Sequence, residues 1–125
     1  MIPIDQTKLH TDNQKGNCLM ACFASLLEIP IEDVPEFDGE SWFSQMTKWL
    51  ETIGFDLIRW SGEVELPGYY MVMGTSPRGD FNHQVIYKNG VLIHDPHPSK
   101  AGGIEVKEIW ALLPLDPAYF LIKGA

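Results

Sequence analysis

The stretch His83-Gln-Val-Ile-Tyr-Lys-Asn-Gly-Val-Leu-Ile-His-Asp95 decides the fold. It consists of two short apolar runs joined through Asn89-Gly90, a dipeptide that tolerates the positive φ angles of tight hairpin turns. A hairpin makes its two ends neighbours, so an imidazole and a carboxylate that are distant in sequence arrive side by side. The outcome depends on register. A three-residue loop, Lys88-Asn89-Gly90, sets Tyr87 against Val91, Val85 against Ile93 and His83 against Asp95. A two-residue Asn-Gly turn pairs His83 with Pro96 and points Asp95 to the other face. Juxtaposing His83 and Asp95 therefore predicts the three-residue loop.

Outward from this hairpin, the same texture of short apolar runs between Gly and Pro extends in both directions. Strands are expected at 55–60, 69–73 and 119–123, and residues 105–113 read either as a strand or as one or two helical turns. Upstream the period changes. Residues 16–28 open on Asn17, a capping-type residue, are dense in helix formers and stop before Pro30. Their apolar side chains run nearly all round, which predicts a buried central helix. In residues 39–54, Trp42, Phe43, Met46, Trp49, Leu50 and Ile53 recur at spacings of three and four. That is an amphipathic helix with Ser41 or Asp38 as cap, Gly54 as stop and an aromatic stripe for the core. Two helices followed by strands predict an α+β architecture, with an antiparallel sheet against the first helix.

The chain has 125 residues, enough for one domain with its own core, and residues 1–125 are expected to form a single unit. Apolar residues make up 45% and charged residues 21%, which argues against disorder. A net charge of −8, with the nine Lys and Arg residues scattered, excludes nucleic acid as an expected partner. The N-terminus lacks a basic segment followed by a long apolar run, and no stretch approaches the roughly 18 apolar residues of a membrane span. A cytosolic protein without a membrane partner is expected. Free thiols at Cys18 and Cys22 fit that compartment, because four-residue spacing within a helix sets the pair near the limit for a disulfide.

Cys18 sits at a helix N-terminus, where unpaired amides and the macrodipole favour a thiolate. Cys22, one turn deeper, reads as packed core. A nucleophile at a helix start, a His at a strand start and an Asp at the end of the next strand supply attacker, base and orienter. The backbone amide of Cys18 can stabilise an oxyanion, and a side-chain donor usually completes that hole.

Gly16-Asn17-Cys18, Ala21-Cys22-Phe23-Ala24-Ser25-Leu26-Leu27, His83-Gln84-Val85-Ile86 and His94-Asp95-Pro96-His97-Pro98 resemble the papain-like cysteine peptidase superfamily. The likeness is to its small bacterial double-glycine leader peptidase-like branch and short phage-encoded relatives, and it spans roughly residues 6 to 98. The resemblance implies a papain-like minimal domain with an N-terminal nucleophile helix on an antiparallel sheet. It also implies a Cys18-His83-Asp95 triad that hydrolyses an amide, peptide or isopeptide bond through a thioester, with no cofactor and no metal. The implied partner is a peptide, a protein or a small amide substrate. Two positions depart from the pattern. Leu19 stands where the family commonly has Gly, and Asp12 stands where its oxyanion-hole Gln usually lies. Gln6 and Gln14 are the candidates for that role, and Gln6 is preferred because Gly16 and the polar run 11–15 allow a loop to fold back.

Three other readings compete. Acyl transfer of transglutaminase type uses the same thioester, and a non-catalytic binding module could keep the scaffold. A zinc site from Cys18, Cys22, His94 and His97 has the right ligand types, but Cys-x3-Cys within a helix is an unusual knuckle and Pro96 and Pro98 fit a rigid turn. His94 and His97 read more simply as loop histidines near a cleft. Arg78-Gly79-Asp80 is a chance tripeptide in a loop, 74–82, that forms the rim of the site, while Trp60 and Trp110 are candidates for its lining.

Overall fold

The computed structural model describes residues 1–116; the strand expected at 119–123 lies outside them. Helix α1 spans Cys18–Leu27, a single 3-10 turn spans Ile31–Asp33, and helix α2 spans Trp42–Thr52. Five strands follow: β1 Phe55–Ser61, β2 Tyr69–Thr75, β3 Asn82–Lys88, β4 Val91–His94 and β5 Glu105–Pro114. They form one sheet in the order β1-β5-β2-β3-β4 with every pairing antiparallel, so the fold is α+β. The ambiguous stretch at 105–113 is thus a strand between β1 and β2, and its alternation of exposed and covered residues gives way to the buried pair Ile109 and Trp110.

Helix α1 packs on β3 and α2 on β1. The core beneath the helices joins Phe23, Cys22 and Met20 of α1 to Met46 and Leu50 of α2 and to Met71, Ile86 and Trp110 of the sheet. Each such side chain, fully buried, contributes roughly 1.5–3 kcal/mol. On the opposite face Tyr70, Val72, Val85 and Ile109 form a second cluster, joined by Trp60. Covered on both faces, β2 carries a nearly continuous apolar run, and β3 is buried continuously from His83 to Ile86, instead of showing a clean alternation.

The hairpin corrects the expected loop. Lys88 pairs with Val91, and Asn89 and Gly90 have φ of 51° and 83°, so the turn is the two-residue form with both central residues left-handed. By itself this register sends Asp95 to the wrong face. A β-bulge reverses the error: Tyr87 pairs with Leu92 but Ile86 pairs with His94, which leaves Ile93 as an extra residue in β4. One extra residue restores the parity, and Asp95 follows the bulge on the side that His83 uses.

A second bulge lies between β2 and β5, where Met73 pairs with Glu108 but Gly74 with Val106. The strands approach so closely there that a Cβ on Gly74 would lie 2.0 Å from the Glu105 carbonyl oxygen. Gly74 is also the β2 partner of His83.

The segment before α1 has no regular structure, yet side chains fasten it. Ser25 Oγ accepts from the Ile4 amide at 2.9 Å, His94 Nε2 donates to the Ile4 carbonyl at 2.8 Å, and the Gln6 amide donates to the Pro96 carbonyl at 2.9 Å. Asn17 holds the N-cap position without a side-chain cap bond, contrary to its sequence reading. Its Oδ1 instead accepts from the amides of Thr7 and Lys8 at 3.0 and 2.9 Å, and its Nδ2 donates to Thr7 Oγ1. Among the described residues no helix is long and apolar enough to cross a membrane.

Candidate active site

The start of α1, the segment before it, the start of α2 and one end of β3 enclose a cleft of about 590 Å³. Cys18 and His83 both line it. Helix geometry sets this contrast between the thiols: Cys18 in the first turn is partly exposed, while Cys22, one turn on, is wholly buried in the core. Burial, followed by the charges of Cys18 and Asp95, pushes the Cys22 thiol well above its ordinary range, so it stays protonated.

His83 Nε2 and Asp95 Oδ1 are 2.7 Å apart, and both side chains are 2% exposed. Asp95 is fully engaged: Oδ1 also accepts from the His97 amide at 2.9 Å, and Oδ2 accepts from the Gly102 amide at 2.8 Å. Burial alone would raise its pKa, but the bond from His83, the two amides and the imidazolium charge hold it well below the usual carboxylate range. For His83, burial alone would favour the neutral ring. The bond to Asp95, then the interaction with the Cys18 thiol and the charges of both partners, prevail and raise its pKa to about 9. The imidazole is therefore protonated at neutral pH. Because Nε2 is committed to Asp95, Nδ1 is the nitrogen that faces chemistry with the thiol.

The two glutamine candidates separate. Gln6 is 7% exposed and lines the cleft; its Nε2 donates to the Lys8 carbonyl at 2.9 Å, leaving a second hydrogen, and its Oε1 is buried without a partner. Gln14 is exposed, donates to the Leu9 carbonyl and does not line the cleft. The four possible zinc ligands do not converge. His94 is tied to Ile4, His97 Nδ1 accepts from the Ser99 amide at 3.0 Å, Cys22 is in the core, and among the described residues no group of three such side chains could hold a metal.

Trp110 lines the cleft and Trp60 does not. The aromatic stripe of α2 divides as well: Trp49 packs edge-on to Phe23 in the core, but Trp42 opens onto the cleft beside Phe37, with the Lys15 ammonium 5.6 Å from its ring centre. Two features escape a residue-by-residue reading. His10 and Phe81 stack with ring centroids 4.1 Å apart, joining the N-terminal segment to the β2–β3 loop at the mouth of the cleft. Asn17, which fastens the segment that carries Gln6, has only a helix-capping signal in sequence, since its partners lie on a stretch of no regular structure.

Comparison of the chain with protein-family models, curated proteins and solved structures finds no match.

Proposed function

We propose that the protein is a cysteine hydrolase of papain-like type, with Cys18 as nucleophile, His83 as acid and base, and Asp95 as the residue that orients and charges the ring. The observation that carries this reading is the buried His83–Asp95 pair at 2.7 Å, with Cys18 and His83 lining the same cleft, one large enough for a substrate. A carboxylate held by three donors fixes the ring, and the open cleft beside that ring gives the fixed orientation a use that packing alone does not require.

The chemistry follows from the atoms. In the reacting pair the thiol proton of Cys18 already resides on His83, and the sulfur attacks the carbonyl carbon of an amide. The negative oxygen that forms is met by the Cys18 backbone N–H, in the unpaired first turn of α1, and by the second Nε2 hydrogen of Gln6. The C–N bond breaks as His83 returns the proton to the departing amine, leaving a thioester. A water that loses its proton to His83 then attacks the thioester, and the carboxylic acid and free thiol are released. Leu19, where related sequences commonly carry Gly, adds a side chain to the cleft beside the nucleophile and narrows the room for substrate.

Alkylation with iodoacetamide at pH 6, with mass mapping of both cysteines, tests the reading. Rapid labelling confined to Cys18 and abolished by His83→Ala is expected. Equal, slow labelling of Cys18 and Cys22 overturns the catalytic assignment and favours a binding module.

A further inference from the structure

The chain carries 17 acidic and nine basic residues, yet no Asp or Glu lines the cleft. Its charged lining residues besides the histidines are Lys15 and Arg78, and among the described residues neither forms an ion pair. The two cations occupy different places. Lys15 lies over Trp42, where Phe37, Met73 and Trp110 make the cleft apolar. Arg78 reaches Ser99 Oγ at 3.5 Å; that hydroxyl is 2.8 Å from His97 Nδ1, and the His97 ring stands 6.3 Å from the His83 ring. Arg78 is thus linked, through Ser99 and His97, to the surroundings of the histidine that protonates the leaving group, and it lines the same cleft. Burial and then the nearby Arg78 charge hold His97 below the ordinary imidazole range; Lys100, the other cation acting on it, is paired with Asp5, which leaves the guanidinium as the cation without an ion-pair partner on that side among the described residues. The buried, unpartnered Oε1 of Gln6 is a second sign that the cleft is built for a polar ligand, one that supplies an N–H.

We infer that the substrate is an amide with a bulky apolar acyl group, received by the aromatic wall, and a leaving amine that bears a carboxylate, received by Arg78: an N-acyl amino acid or the C-terminal end of a peptide. This inference rests on the hydrolase reading for its direction, since the leaving side is defined by His83. A guanidinium binds a carboxylate through paired N–H donors, and a partly covered site shields that contact from water. The net charge of −8 repels such a substrate over the exterior as a whole, whereas the cleft lining carries two cations and no carboxylate.

The test uses two probes that differ by one charge, N-(3-phenylpropanoyl)glycine and its glycinamide counterpart. Binding to the Cys18→Ser protein is followed by fluorescence, because Trp42 and Trp110 line the cleft. The acid is expected to bind about tenfold more tightly than the amide in low salt, with the preference erased by Arg78→Gln, partly kept by Arg78→Lys and untouched by Lys15→Gln. Equal affinities, binding of neither probe, or a preference erased by Lys15→Gln but not by Arg78→Gln overturns the inference. The hydrolase reading is followed separately with p-nitrophenyl 3-phenylpropanoate, whose leaving group has no carboxylate. Ester turnover that requires Cys18 without any acid preference sinks the leaving-group assignment alone. An acid preference without turnover or a thioester on Cys18 sinks the hydrolase reading alone.

Discussion

Nε2 of His83 and Oδ1 of Asp95 lie 2.7 Å apart with both side chains out of water, so the two protonation equilibria are bound to the stability of the fold. His83 is raised from its ordinary value of 6.5 to about 9, and stability from this group is complete below 6.5 and disappears as the pH climbs through about 9. Asp95 is lowered from 3.8, and its contribution is present above that value and fades as the pH falls below it. Both contributions are whole between about pH 4 and 6.5. Urea midpoints across pH 3 to 10 should therefore be highest in that window and decline on either side. In Asp95→Ala the alkaline decline should shrink, because the bond that raises His83 has gone; an unchanged profile would refute the coupling.

Catalysis should respond to the same pair, with its own limb on the alkaline side. At neutral pH the ring already holds a proton for the leaving amine, so kcat/KM should fall on the alkaline side as His83 deprotonates near 9. Asp95→Ala should move that limb to lower pH, and Asp95→Asn should lose less activity than Asp95→Ala because its side chain still accepts from the ring. Removing the base with His83→Ala should cost about 10²- to 10⁴-fold. The pH-rate profiles on an amide substrate, N-(3-phenylpropanoyl)-p-nitroaniline, whose leaving amine needs that proton, check all three, and a limb that stays in place in Asp95→Ala contradicts the assignment.

Asn17 is a positioning residue whose loss should be felt at Gln6. Its amide group satisfies two backbone donors and one hydroxyl on residues 7 and 8, immediately after Gln6. Asn17→Ala leaves those groups unpaired, at a cost of roughly 1–3 kcal/mol. Asn17→Asp keeps the oxygen that serves both amides and should recover much of the stability. If Gln6 acts on the oxyanion, Asn17→Ala should lower kcat more than it raises KM, and Gln6→Ala in that background should add little further loss. Independent, additive losses would separate the two residues.

The sequence made some of this site legible and hid the rest for identifiable reasons. Elements with strong local signals were readable: the 3.6-residue period of α2, the buried run of α1 and the Asn-Gly turn each carry their cause within a few residues. The register was not. In sequence a three-residue loop is what brings His83 to Asp95, whereas the chain combines a two-residue turn with a bulge at Ile93. Nothing about an isoleucine in an edge strand announces that it is an extra residue, because a bulge is set by pairing with the neighbouring strand. Arg78 and Phe81 were placed in a rim loop, but their partners Ser99 and His10 belong to distant segments. Strand 105–113 was ambiguous because its place between two other strands is a long-range fact.

Gly74 joins the sheet to the site, and its substitution should damage both. It is paired with His83 on one side and with the bulged part of β5 on the other. A methyl group there would sit 2.0 Å from the Glu105 carbonyl oxygen, a backbone atom that cannot turn aside as a side chain would. In Gly74→Ala, β2 and β5 must separate, and β2 carries β3 and the His83 imidazole with it. Overpacking of this kind costs about 1–3 kcal/mol, and more where backbone is displaced. A lowered urea midpoint is expected, together with a fall in the His83 titration midpoint, followed by NMR of the ring, as its bond to Asp95 lengthens. The second readout separates a sheet that is merely weaker from one whose distortion reaches the site: loss of stability with the His83 midpoint still near 9 would show that Gly74 supports the fold but does not position the histidine.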